Sequence, residues 1–181
     1  MAQEVETKVL DIDVDDIRGR LEALGAEQVQ ETRLIVDWFR TKGVQEGEDE
    51  WFLRIRSNSR GEYEVTWKPK SEIIGVARQH KEINLFIPEP EKLADLFVEI
   101  GLEKYAHQEK DRTTYTYKEW QFDIDQYPKM PAFLEIEGKS EKHIQKALEL
   151  LELERNRTWA DGERTFIQKE YGLDWYDMRF S

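Results

Sequence analysis

The chain has 181 residues, room for one domain or at most two small ones. It carries 27 Lys and Arg against 39 Asp and Glu, a formal net charge of -12, and no Cys. That excludes a disulfide framework and any thiolate metal site, and it disfavours long-range attraction to nucleic acid or an anionic membrane. An anionic ligand is compatible with this charge only if the cations are gathered in one place. Six Trp, seven Tyr and eight Phe supply a packed core. The charged start, Met1 to Lys8, lacks the apolar segment of a signal peptide, and no apolar run approaches the ~20 residues of a membrane span. The expectation is a soluble cytoplasmic protein, monomer or homodimer, with no nucleic-acid or membrane partner.

Residues 3–10 alternate as a strand, with Val5 and Thr7 on one side and Glu4, Glu6 and Lys8 on the other. Asp13 is a helix N-cap, Ile17, Leu21 and Leu24 form the helix stripe, and Gly25 stops it. Extended segments follow at 31–39, 51–57 and 62–68, with an acidic loop from Gly43 to Glu50 and a stop at Pro69. Residues 76–87 alternate as a further strand. Pro90 opens a second helix striped by Leu93, Leu96, Phe97 and Ile100 and ended by Gly101. A hairpin spans 109–118 and 120–126, Tyr127 to Pro131 is a loop, and 132–137 is a last strand. Helices are expected from about Glu141 to Arg155, striped by Ile144, Leu148 and Leu151, and at 161–171. The aromatic tail 173–181 has no assigned place. A weak internal repeat matches the helix ends Leu21–Gly25 and Leu96–Gly101.

About eight strands are enough to close a barrel. Their polar faces are rich in full charges: Glu4, Glu6 and Lys8; Arg54 and Arg56; Glu64 and Lys68; Arg78, His80 and Glu82; Lys110 and Arg112; Asp123 and Asp125; Glu135 and Glu137. Their apolar faces carry Phe52, Ile55, Val65, Trp67, Ile83, Leu85, one of Phe122 or Ile124, Leu134 and Ile136. A single such strand is read most simply as facing water. With helices packed outside, however, the apolar faces turn outward and the charges turn in. Buried charges must be paired, hydrated or ligand-bound. Converging Lys and Arg neutralise a polyphosphate, and carboxylates beside it are tolerable if a hard cation such as Mg²⁺ or Mn²⁺ lies between. Glu-x-Glu on a strand sets two carboxylates on one face roughly 6.5–7 Å apart.

These residues resemble a known family. Glu4-Val5-Glu6-Thr7-Lys8 is similar to the N-terminal Glu-x-Glu-x-Lys signature of CYTH domains, the triphosphate tunnel metalloenzymes. Leu53-Arg54-Ile55-Arg56, Thr66-Trp67-Lys68, Arg78 with Glu82, Lys110-Asp111-Arg112, and Asp125 followed by Phe133-Leu134-Glu135-Ile136-Glu137 resemble its later elements in order, from residue 3 to about 140. The resemblance implies an α+β fold: an eight-stranded antiparallel β-barrel forming a triphosphate tunnel, with helices packed outside. It implies one domain over 1–181, with a helical extension at 141–181. By the same resemblance Glu4, Glu6 and Glu137 hold a first metal, and Asp125 and Glu135 serve a second or orient the attacking water. Lys8, Arg54, Arg56, Lys68, Arg78, Lys110 and Arg112 bind the triphosphate. The chain departs from the pattern at His80, which stands where the family has an acid, and at the Pro128–Pro131 loop. His107 and His143 are expected at exposed polar positions.

The activity this implies is metal-dependent hydrolysis of inorganic, nucleoside or thiamine triphosphate. A class IV adenylate cyclase, converting ATP to cyclic AMP and pyrophosphate in the same site, is the alternative. A non-catalytic polyphosphate or nucleotide binder is a third reading. No Ser-His-Asp or Cys-His set and no Walker-type loop stands out.

Overall fold

The computed structural model describes residues 3–45, 47–48, 50–70 and 72–181. In chain order the elements are β1 (Gln3–Val9), α1 (Val14–Leu24), β2 (Glu27–Thr41), β3 (Trp51–Ser57), β4 (Tyr63–Pro69), β5 (Glu72–Ile74), β6 (Ala77–Lys81) and β7 (Ile83–Phe86). Then follow α2 (Pro90–Glu99), β8 (Leu102–Tyr117), β9 (Trp120–Gln126), β10 (Phe133–Gly138), α3 (Glu141–Leu150), β11 (Thr158–Trp159), α4 (Glu163–Tyr171) and β12 (Asp177–Met178). The class is α+β: one large sheet, antiparallel but for β12, and four helices.

Local chemistry sets the element ends. The Asp13 side chain accepts from the Asp16 backbone N–H at 3.0 Å, and Gly25 closes α1 in the left-handed region at φ 84°. Ser140 caps α3 by accepting from His143 N–H. That helix stops at Leu150, not Arg155, and the chain then turns through Glu152 at φ 55°. The hairpin turn lies at Lys118, also at positive φ.

The strand order is β5-β6-β1-β10-β9-β8-β2-β3-β4-β7, with β11 beside β1 and β12 parallel to β8. The expected strand 76–87 is two pieces, interrupted at Glu82: β6 pairs with β1 and β7 with β4. Its hairpin partner is also in two pieces. β4 meets β7 with Val65 opposite Leu85, and β5 meets β6 with Ile73 opposite Arg78, a register shifted by one residue. The repeat has a structural counterpart. α1 leads into the 15-residue β2 and α2 into the 16-residue β8, and these two long strands pair antiparallel along most of their length.

The apolar outer face of β1, β9 and β10 packs under α1 and α3, where Val5, Val9, Phe122, Ile124, Leu134 and Ile136 meet Ile17, Leu21, Ile144 and Leu148. Each such buried side chain contributes about 1.5–3 kcal/mol. Phe122 and Ile124 share this face, which resolves the phase left open above. Phe97 of α2 packs on Phe39, Leu53, Ile55 and Val65. Leu96 and Ile100 of the same helix are exposed, as are Ile83 and Leu85 of β7, so α2 covers less of the sheet than its stripe suggested. Phe52 lies on the opposite face from Ile55, with Arg54 and Arg56, as period-2 alternation requires. The aromatic tail closes one end of the polar face. Trp175 packs on Trp38 at 5.4 Å between ring centres, and its carbonyl accepts from Gln108 Nε2 at 2.6 Å. Among the described residues, no helix is long and apolar enough to cross a membrane.

Candidate metal and anion site

The polar faces of the strands meet in a cavity of about 300 Å³. β1 and β10 form its acidic side. Their register sets Glu6 opposite Glu137 and Lys8 opposite Glu135. Glu6, Glu135 and Glu137 each offer an oxygen, and the three oxygens lie within 4.8 Å of one another. Such a set of carboxylate oxygens suits a hard divalent ion, Mg²⁺ or Mn²⁺, better than a soft one. The Glu4 backbone pairs with His80 on the same strand edge; the side chains of both lie outside the description.

Cations lock this side in place. Lys8 is fully buried and reaches Glu6 at 2.8 Å and Glu135 at 3.1 Å. Burial and Arg78 pull its pKa down, but Glu6 and Glu135 outweigh them and hold it above the usual lysine value. Arg78 Nε donates to Glu6 at 2.6 Å. Asp125 is gripped from β8 by Lys110 Nζ at 2.7 Å and, bidentately, by Arg112 at 2.6 Å. Arg112 also reaches Asp123 at 2.8 Å and Glu135 at 2.9 Å. Burial and Glu6 push the Glu135 carboxyl up, but Lys8, Arg112 and Lys110 bring it well below the usual carboxylate range.

β3 and β4 form the basic side, with Arg54, Arg56 and Lys68. Arg56 donates to Glu64 at 2.6 Å, while Lys68 is 3.4 Å and Arg54 4.0 Å from Glu82. Arg54 Nε is buried with no hydrogen-bond partner among the described residues. Burial, then Arg54 and Arg78, lower the Lys68 pKa; burial and Arg54 lower that of Arg56. An under-compensated basic wall facing a carboxylate group is the arrangement expected for a polyanion that bridges the two through a cation.

Of the twelve residues picked from the sequence, nine line this cavity; Asp125 is held behind it by Lys110 and Arg112, Lys8 lies against Glu6 and Glu135, and the Glu4 backbone pairs on the same strand. Others were missed. Glu163, at the start of α4, accepts from Lys110 Nζ at 2.9 Å and from the Tyr127 hydroxyl at 2.6 Å. Arg164, Trp38 and Trp175 line the same space. The Asp161-Gly162-Glu163-Arg164 helix start was the available signal, since it puts charges at an N-terminal turn. Asp123 shares the face of Asp125 two residues on, and accepts from the Thr114 hydroxyl. His107 is not exposed: its Nδ1 lies 2.6 Å from Asp37, beneath the tail.

Glu163 makes a prediction about acid stability. Burial raises its pKa, but Lys110 chiefly, with Lys8 and the Tyr127 hydrogen bond, lowers it to about 2. The unfolded value is about 4.3. Its contribution is therefore complete above about pH 4.5 and is lost as pH falls toward 2. Glu163→Gln is expected to flatten the decline in urea stability across that window, measured by equilibrium unfolding at a series of pH values.

The comparisons bear on the family and the fold. A family model described as the CYTH domain matches residues 2–165. No curated protein matches the sequence. Two similar solved structures are proteins of Pyrococcus horikoshii. One has 21% identity and a TM-score of 0.74, covering 92% of this chain and 99% of its own. The other has 22% identity and a TM-score of 0.70, covering 83% and 91%. A third is a candidate adenylyl cyclase from Hippeastrum, described as having a dominant triphosphatase activity, with 14% identity, a TM-score of 0.67 and coverage of 95% and 96%. The structures support the fold, the family model extends over most of the sequence, and the chain belongs to the CYTH domain family.

Proposed function

We propose that this chain is a divalent-metal-dependent hydrolase of a triphosphate substrate, acting inside a tunnel of eight strands. The carrying observation is the three-carboxylate group of Glu6, Glu135 and Glu137 facing Arg54, Arg56 and Lys68 across one cavity. The tunnel follows from reading the two-piece hairpin as one. With β4 and β5 taken as one strand and β6 and β7 as another, the order β1, β10, β9, β8, β2, β3, β4–β5, β6–β7 returns to β1. We take residues 1–181 as one domain, because Glu163 of the C-terminal extension pairs with Lys110 of the sheet.

Glu6, Glu135 and Glu137, with Glu4 beside them, would hold Mg²⁺ or Mn²⁺. When bound, the ion neutralises phosphate oxygens and lowers the cost of generating the nucleophile. Arg54, Arg56, Lys68, Arg78, Lys110 and Arg112 bind the chain of phosphates and stabilise charge on the departing diphosphate. Lys8, beneath the cavity, fixes Glu6 and Glu135 rather than reaching the ligand. Asp125, assigned from the sequence to a second metal or to the attacking water, keeps Lys110 and Arg112 aimed at the phosphates, and Glu135 is the better placed of the two to meet an ion. In the reaction water attacks the terminal phosphorus, the bond to the bridging oxygen breaks, and diphosphate or its ester leaves with orthophosphate.

The test is product analysis with tripolyphosphate and with ATP, each with Mg²⁺ or Mn²⁺. Orthophosphate without cyclic AMP is the expected result. Cyclic AMP with pyrophosphate would establish a cyclase. Binding without turnover of either would leave a non-catalytic polyphosphate or nucleotide binder.

A further inference from the structure

β7 ends the strand order, and its two edges differ. On one side β4 pairs with it, Val65 opposite Leu85 and Glu64 opposite Phe86. On the other side β1 follows β6 only as far as Lys81, opposite Gln3. Beyond that point, among the described residues, no strand pairs with Ile83–Phe86 on this edge. Ile87 N–H donates to the Tyr63 carbonyl, its opposite number in the β4 register, at 2.9 Å. In an antiparallel ladder alternate residues bond to the same side. The backbone groups of Ile83, Leu85 and Ile87 therefore bond to β4, and those of Asn84 and Phe86 point out along the open edge.

Sheets normally blunt a free edge with lysine, proline or a bulge. Here Ile83, Asn84, Leu85, Phe86 and Ile87 carry no charge, in a chain of net charge -12. Leu85 is 60% exposed and Phe86 78%. Two such chains repel each other at long range, and this stretch lets them meet with no like charges in contact.

We propose that the open edge of β7 pairs antiparallel with the same edge of a second copy of this chain, about a two-fold axis at Leu85. The register is self-complementary. On the outer face Leu85 meets Leu85 of the second copy, and Ile83 meets Ile87 of the second copy. Asn84 exchanges backbone hydrogen bonds with Phe86 of the second copy, which satisfies the outward-pointing groups. Pro88 has no N–H to donate, so it ends the pairing before the second copy runs into β1. At each end the exposed Lys81 of one copy comes near the exposed Glu89 of the other, so opposite charges flank the apolar stretch. One short strand pair is a small interface, so association is weak and depends on concentration. The pairing does not rest on the triphosphate reading of the first cavity.

Sedimentation velocity from micromolar to near-millimolar protein tests it. Wild type is expected to pass from monomer to dimer. Leu85→Lys sets like charges opposite each other on the axis and is expected to stay monomeric. Its urea unfolding should be unchanged, because the side chain is largely exposed. Mixed with Leu85→Glu, it is expected to dimerise again, since only the mixed pair brings opposite charges to the axis. The chain has no Cys, so Leu85→Cys carries a single thiol. Across a strand pair of this kind the Cα atoms are about 4.5 Å apart, within disulfide reach, and oxidation is expected to give a covalent dimer. Val98→Cys, similarly exposed on α2, should crosslink far more slowly. A wild type that stays monomeric throughout overturns the pairing and leaves the edge to a strand of another protein. A dimer that survives Leu85→Lys, or in which Leu85→Cys crosslinks no faster than Val98→Cys, overturns β7 as the interface.

Discussion

Glu137→Gln is expected to lower kcat/KM for triphosphate hydrolysis by about 100-fold or more, and to move the Mg²⁺ midpoint to higher concentration. The magnitude is that of losing one preorganised charge in a metal-assisted phosphoryl transfer. Glu137 is the cleanest of the three carboxylates to change. It stands opposite Glu6 at the cavity wall, whereas Glu6 and Glu135 also hold Lys8. Gln keeps the shape and removes the charge. Steady-state assays across a Mg²⁺ series decide the matter. A variant within a few-fold of wild type, with an unchanged Mg²⁺ midpoint, would remove Glu137 from the ion site.

Lys8→Met is expected to destabilise the fold by about 3–5 kcal/mol, the usual cost of stripping one partner from a buried ion cluster. The reason is specific to this place. Lys8 is fully buried between two carboxylates. Glu6 and Glu135 would then repel each other, and the pull that keeps the Glu135 carboxyl low would lose its largest contributor. A divalent ion offers compensation. At about 100 times its dissociation constant it adds roughly 2.7 kcal/mol. The variant should therefore depend on Mg²⁺ for stability far more than wild type does, as read by urea unfolding with and without the ion. A loss under about 1 kcal/mol would show that the two carboxylates find another partner or take up a proton.

The strands and their charged faces were legible because period 2 is simple: Arg54 and Arg56, or Glu135 and Glu137, must share a side. The ordered resemblance then placed those sides around a ligand. The helix start at Glu163 was legible but its partner was not, because the contact depends on α4 folding back onto β8, a long-range contact with no periodic signature. The exposure of Leu96 and Ile100 was hidden for a similar reason. A helix stripe shows what could be buried, and the sheet area available under α2 decides what is. The break at Glu82 had no sequence signal at all, because alternation continues through it. Likewise Trp175 was only an aromatic in a tail until Trp38 and Gln108 gave it a place.

β1 lies between β6 and β10, so the first strand of the chain is an interior strand of the sheet. On the ribosome, it has no antiparallel neighbour on one side until residue 81 has emerged and none on the other until residue 138 has emerged. Until then Glu6 is an ordinary solvated carboxylate. The carboxylate group is thus assembled by a pairing of high sequence separation, which places this chain among the slower-folding topologies. The pairing that brings Glu137 to Glu6 forces like charges together, so refolding of the full chain should accelerate in Mg²⁺ and slow when the ion is chelated.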